Sequence, residues 1–229
     1  MVMDINTLNN EEDLKLFKKF NWNGFVYYQY CEDFSKDKYY EVSEIAKRLN
    51  LKVYCGVKIR AEKKKELRKK VKKFRDKCHI VMVEGGNLDI NRYAVEMHDV
   101  DILSTPELNR LDSGIDHVLA RFASEHRVAI EINFGYLLKK DAYERARQLI
   151  FFRRNLKLAK KYDTPVVVST DCYDKYTIKN SYDIRAFLNT LVDREYSWKI
   201  LTTLRKICEY REYLMNDNVV RYGVEIIKE

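Results

Sequence analysis

The sequence predicts an α/β, TIM-like barrel of about seven parallel strands, with helices outside and extra C-terminal helices. Three observations predict it. Seven short apolar runs alternate with amphipathic helical segments. Several runs are apolar at every position, as parallel strands covered on both faces are. Most of them end in polar groups, as strands do at a barrel mouth. An open doubly wound sheet is the alternative, although neither GxGxxG nor GxxxxGK[ST] occurs to support a nucleotide fold. With 229 residues and 46% apolar content, the chain suits a single domain over residues 1–229. Seven glycines and two prolines leave no material for a long Gly/Pro-rich linker.

Each element follows from local pattern. The first strand, MVMDI (1–5), carries Asp4, and GFVYYQ (24–29) is the second. Val42, Ile45, Ala46 and Leu49 then recur at helical spacing. KVYCGVKI (52–59) brings Lys58 to a strand end, with Arg60 just beyond. Leu67, Val71 and Phe74 form a narrow apolar stripe on a helix within residues 61–77. HIVMVE (79–84) ends on Glu84, and VDILS (100–104) is the fifth strand. Ser113 or Asp116 caps the helix that begins at His117. VAIEIN (128–133) carries Glu131 and Asn133. Leu149, Phe152, Leu156 and Ala159 stripe the helix DAYERARQLIFFRRNLKLAKKYD (141–163), and PVVVS (165–169) precedes Asp171. Residues 181–215 read as helical, through Ile184, Phe187, Leu188, Leu191, Trp198, Leu201, Leu204 and Cys208. Residues 218–229 fit a last strand or a tail equally well.

The net charge of +8 is concentrated rather than spread. Residues 58–77 hold twelve Lys/Arg and three Asp/Glu, so the rest of the chain is near neutrality. Such a local excess predicts a phosphate-docking surface. The candidate RNA contacts are Lys58, Arg60, Lys64, Arg68, Lys69, Lys72 and Lys73, with Arg153, Arg154 and Lys157 on a second basic helix. A solvated surface helix is the plainer reading, but acids at i,i+4 are too few to balance the lysines. Five scattered cysteines without CxxC spacing predict reduced thiols and a cytoplasmic setting. No apolar h-region opens the chain, and no apolar run is long enough for a bilayer, so neither a signal peptide nor a membrane is expected.

Four carboxylates, Asp4, Glu84, Glu131 and Asp171, are expected at the mouth, with His117 the one histidine near it. Two readings compete. A metal-dependent hydrolase would use such carboxylates together with imidazoles. A structural polar cluster needs no metal, because Lys58 and Arg60 rise from the same mouth and neutralise acids there. The scarcity of histidine favours the second, with no catalytic residue and no metal ligand expected. His79, His98 and His126 are expected to be surface or capping groups, and Cys172 a small buried side chain.

Residues 99–138, DVDILSTPELNRLDSGIDHVLARFASEHRVAIEINFGYLL, resemble the core block of the archaeal ribonuclease P protein component 3 family, shared with the eukaryotic RNase P p30 subunits. GVKIRAEKKKELRKKVKKFR (56–75) and VSTDCYD (168–174) fit the same family in the same order. The family is similar in fold to the polymerase-and-histidinol-phosphatase hydrolases, which carry D-L-H-x-H after the first strand and S-D-A-H near the last. Here those places read Asp4-Ile5-Asn6 and Ser169-Thr170-Asp171-Cys172, so the imidazoles are gone. The resemblance implies a noncatalytic subunit of the ribonucleoprotein that removes 5′ leaders from precursor tRNA. It implies protein component 2, other protein subunits and RNase P RNA as partners, precursor tRNA as the substrate of the whole particle, and magnesium carried by the RNA with no cofactor on this chain. A stand-alone metal-dependent phosphoesterase is the alternative.

Overall fold

Seven parallel strands form one sheet in sequence order, β1 to β7. The architecture is described from a computed structural model, over residues 2–216, 218–221 and 223–225. The strands are β1 (Met3–Asn6), β2 (Gly24–Tyr30), β3 (Lys52–Ile59), β4 (Ile80–Glu84), β5 (Ile102–Ser104), β6 (Ala129–Asn133) and β7 (Val166–Ser169). Between and after them come α1 (Glu11–Lys19), α2 (Lys36–Arg48), α3 (Lys64–Phe74), α4 (Leu88–Val95), α5 (His117–Glu125), α6 (Phe134–Leu138), α7 (Ala142–Tyr162), α8 (Ser181–Leu191) and α9 (Arg194–Leu214). The sheet curls until its edges meet: Asp171 N–H donates to Ile5 O at 3.2 Å and Thr7 N–H to Cys172 O at 3.0 Å. The result is a nearly closed TIM-like barrel.

Helix starts follow from capping. Asn10, Ser35, Asn87, Asp116, Asp141 and Asp193 each accept a backbone N–H of the first turn of the helix they precede. Asp116, rather than Ser113, thus caps α5. The strongly basic α3 starts at Lys63 without a side-chain cap. The helical stretch expected over 181–215 divides at Val192 and Asp193 into α8 and α9. Trp198 leaves the predicted stripe and is exposed, while Tyr196 and Ile200 are buried in its stead. After α9, a short antiparallel pair, β8 (Val219–Arg221) and β9 (Val224–Glu225), occupies part of the stretch expected as a strand or tail; residues 226–229 lie outside the described residues.

Alternate positions of each strand fill the barrel interior, as the pleat requires. Met3, Ile5, Val26, Tyr28, Tyr54, Ile80, Met82, Ile102, Ala129 and Val167 form this cluster. Gly56 keeps the layer open: a Cβ there would lie 2.5 Å from Val26 Cγ1. Leu204 and Cys208 of α9 join the same cluster, so the last long helix plugs the N-terminal end. Charged groups fasten the plug. Asp101, 2% exposed, accepts from Arg75 at 2.6 Å, from Val81 N–H at 2.7 Å and from Arg211 of α9. Glu212 accepts from Tyr54 and pairs with Lys52 at the start of β3. The opposite, C-terminal end is left for side chains to furnish.

Candidate functional site

Tyr28, Lys58, Glu84, Glu131, Ser104, Ser169 and Asp171 share the inward parity of the interior residues below them, so they meet at the mouth. Three carboxylates converge there, and each is already engaged. Tyr28 donates its hydroxyl to Asp171 at 2.5 Å, and Lys139 Nζ stands 3.7 Å from the same carboxylate. Tyr30 donates to Glu84 at 3.0 Å. Arg60 grips Glu84 through Nε at 2.7 Å and through a second nitrogen at 3.3 Å, its guanidinium 3.8 Å above the Tyr30 ring. Glu131 accepts from Ser169 Oγ at 2.7 Å and from Ser104 Oγ. Lys58 is buried, with Nζ 4.2 Å from the centroid of the Tyr28 ring. Burial, reinforced by the Asp171 charge, holds the Tyr28 phenol well above its ordinary range, so it stays a donor.

In this arrangement each carboxylate already holds a hydroxyl or cationic partner. A two-metal hydrolase centre needs carboxylates and imidazoles with free lone pairs facing one point. Among the described residues no three His, Cys, Asp or Glu side chains are grouped to hold a metal ion. The donor set does not fit such a centre, and no hydrolytic step can be derived from it.

Two of the five expected mouth residues are elsewhere. Asp4 has the opposite parity from Met3 and Ile5 and lies at the β1–β7 seam. There it accepts from Thr170 N–H at 2.7 Å and Thr170 Oγ1 at 2.5 Å, with Cys172 Sγ 3.7 Å away. Burial pushes its carboxyl up to about 6, against the Thr170 hydrogen bonds. It is a closing bolt of the barrel, not a mouth group. His117 is the exposed first residue of α5 and makes no hydrogen bond to any mouth group among the described residues. His79 also departs from expectation: it is half-buried, its Nδ1 accepts from Cys55 N–H at 3.2 Å, and burial lowers its pKa. Conversely, Tyr28 and Tyr30 were legible from parity, two and four residues after the inward Val26. Lys139 was not, because it arrives from just beyond α6 rather than from a strand end.

The basic candidates also divide. Lys58 is 3% exposed inside the mouth and cannot face a polyanion. Arg60 is committed to Glu84, and Lys64 stands 3.9 Å from Asp89. Arg68, Lys69, Lys72 and Lys73 project from α3 into solvent with no carboxylate partner among the described residues, while Leu67, Val71 and Phe74 seat the helix on the barrel. Lys70 faces inward to Glu32, Glu66 and the Arg60 carbonyl. On α7, Arg153, Arg154 and Lys157 are likewise exposed without an ion pair. The two helices are not neighbours: α4 and α5 stand between them around the barrel.

Comparison with known proteins bears on this geometry. The profile of the family described as RNase P subunit p30 matches residues 1–216. The chain is 69% identical to ribonuclease P protein component 3 of Methanocaldococcus jannaschii over 229 residues, covering 100% of this chain and 99% of that protein. It is 51% identical to ribonuclease P protein component 3 of Methanococcus maripaludis strain S2, covering 100% and 98%. Its structure superposes on a chain of the cryo-EM structure of archaeal ribonuclease P with mature tRNA, with a TM-score of 0.93, 69% identity, and coverage of 99% of this chain and 98% of that one. An uncharacterised protein with 11% identity and a TM-score of 0.59, covering 98% of this chain and 77% of its own, shares the fold alone.

Proposed function

The chain belongs to the RNase P subunit p30 family, and from that premise we propose that it binds RNase P RNA through the outer face of α3 and pairs with protein component 2. It is a tRNA-processing subunit of ribonuclease P, the ribonucleoprotein that removes 5′ leaders from precursor tRNA. The observation that carries the RNA reading is the set of four outward cations, Arg68, Lys69, Lys72 and Lys73, crowded on one helix without acids to balance them. Like charges so placed repel, and a phosphate backbone relieves the repulsion while releasing its counterions. Arg153 and Lys157 offer a second phosphate contact on another side of the barrel. Contacts of this kind orient an RNA helix rather than read its sequence.

In this reading the barrel is a rigid positioning body, catalysis and its magnesium ions belong to the RNA, and the mouth network keeps the barrel end closed and ordered. The five free cysteines suit a reducing, cytoplasmic setting. The stand-alone phosphoesterase alternative is not favoured, since each mouth carboxylate already holds hydroxyl or cationic partners.

Precursor-tRNA cleavage at fixed magnesium tests the reading in four mixtures: this protein alone, RNase P RNA alone, the RNA with protein component 2, and the RNA with both proteins. The expected result is cleavage only where RNA is present, with a clear rise on adding this chain to the third mixture. Cleavage by the protein alone, abolished by Asp171→Ala, would overturn it.

A further inference from the structure

Leu111 is 88% exposed, more than any other large apolar side chain described. It does not sit on a loose loop. The segment over residues 105–116 is tied from below by Asn91, whose amide donates to Pro106 O at 2.8 Å and Gly114 O at 3.0 Å. Asn155 of α7 donates to Ser113 O at 3.0 Å, and Gln148 of α7 donates to Glu107. Arg110 closes the tip on Asp112, at 2.7 Å through each of two nitrogens, and reaches Gly86 O at 3.1 Å. A rigid platform therefore holds a leucine in water.

The neighbouring stripe of α7 has the same character. Tyr143, Arg147, Ile150 and Arg154 follow one another at helical spacing on its outer side. Tyr143 is 77% and Ile150 65% exposed. A recess of about 280 Å³, bordered by Leu111, Tyr136, Arg147 and Phe151, joins the loop to the helix. The hydrogen bond from Arg110 foremost, then that from Gly114 N–H, and last the charge of Arg154 hold the Asp112 carboxyl below its ordinary range, and the shared recess makes the helix and the loop tip contiguous.

We propose that this face, Leu111 with Tyr143 and Ile150 between Arg147 and Arg154, docks another protein subunit of the ribonuclease P particle, through an apolar segment edged with acidic side chains. The inference rests on the subunit reading above and adds the face and the chemistry of the partner. Exposed aliphatic groups neither neutralise phosphates nor stack on bases, so Leu111 and Ile150 have nothing to offer an RNA. The contrast with α3 is direct: every large apolar residue of α3 is buried and its outer face is cationic. Apolar groups on an ordered platform around a recess are the anatomy of an interface core, with little ordering entropy left to lose on binding. Arg154, which has no ion pair among the described residues, selects an acidic rim over a neutral or basic one, while Arg147 shares its charge with Glu144 at 3.9 Å.

The test uses a particle reconstituted from RNase P RNA and the recombinant protein subunits, with the photo-crosslinking residue benzoylphenylalanine at position 111. The expected result is a crosslink to a different protein subunit. In parallel, the double substitution Leu111→Asp with Ile150→Asp, both at exposed positions, should weaken association with that subunit by about 30-fold or more. Its affinity for RNA should stay within about twofold of the parent, because the α3 cations and Arg153 and Lys157 of α7 are all retained. A crosslink only to RNA, a crosslink to a second copy of this chain, or unchanged association of the double variant would overturn the proposal. Failure of the unsubstituted chain to enter the particle would overturn the subunit reading itself, and with it this docking face.

Discussion

Glu107 lies fully buried under the 105–116 segment, with one carboxylate oxygen accepting from Gln148 and the other without a partner among the described residues. Burial first, and the Glu131 charge second, push its carboxyl up to about 8. The folded chain therefore keeps this proton over a range in which the unfolded chain, titrating near 4.5, has released it. Folding takes up a proton between those values, so stability falls as pH rises from about 4.5 and the loss is complete beyond about 8. Glu107→Gln keeps the shape and removes the titration. Its Tm should exceed that of the parent by about 5 °C or more at pH 9, with the difference shrinking toward pH 5. Thermal melts of both proteins across that range check it, and parallel curves would remove the burial argument.

Two elements carry separate duties. The α9 plug depends on Asp101, which answers both Arg75 and Arg211 from within the barrel floor. Asp101→Ala leaves two half-buried guanidinium groups unpaired and should cost about 3–5 kcal/mol in urea denaturation. An effect below about 1 kcal/mol would mean that apolar packing of Leu204 and Cys208 alone holds the plug. Helix α3 depends on its stripe for seating and leaves four cations, Arg68, Lys69, Lys72 and Lys73, on its outer face. Lys69→Ala, Lys72→Ala and Lys73→Ala together should leave the fold intact and weaken RNA binding. The slope of log K against log salt should fall by up to about 0.9 for each phosphate that is no longer neutralised. Filter binding over a salt series reads this, and an unchanged slope would take RNA away from α3.

For the molecule as a whole, the placement of the charge matters more than its sum. The basic faces of α3 and α7 are separated by α4 and α5, so they have no residues in common through which to couple. Combining the α3 triple variant with Arg153→Ala and Lys157→Ala should give binding losses that add within about 0.5 kcal/mol. Strong non-additivity would show that one RNA segment spans both helices. The mouth fits the same division: the unbalanced cations lie on the outer helices, while the carboxylates at both ends of the barrel are tied internally.

Seven apolar runs in alternation with amphipathic stripes were enough to determine a parallel α/β sheet covered by helices, because sheet burial and helix seating are local pattern effects with periods of two and 3.6, whereas its closure into a barrel is seen only where β1 and β7 meet. The excess charge at 58–77 was equally legible, since composition needs no coordinates. Which side chains meet at the mouth needed more. Asp4 and Glu84 both lie near strand ends, yet the pleat turns one to the seam and the other to the mouth. Lys58 reads both as a mouth cation and as part of the basic run, and only the first holds, because it has the inward parity of β3 and the solvent-facing stripe begins only with α3. Lys139 and the exposed Leu111 carry no sequence signal at all: one is brought to Asp171 by the turn after α6, the other is held in water by hydrogen bonds from Asn91, Gln148 and Asn155. Sequence determines elements through nearest-neighbour periodicity. Only tertiary structure decides which residues far apart along the chain share a face, because that depends on strand register, parity and loop geometry together.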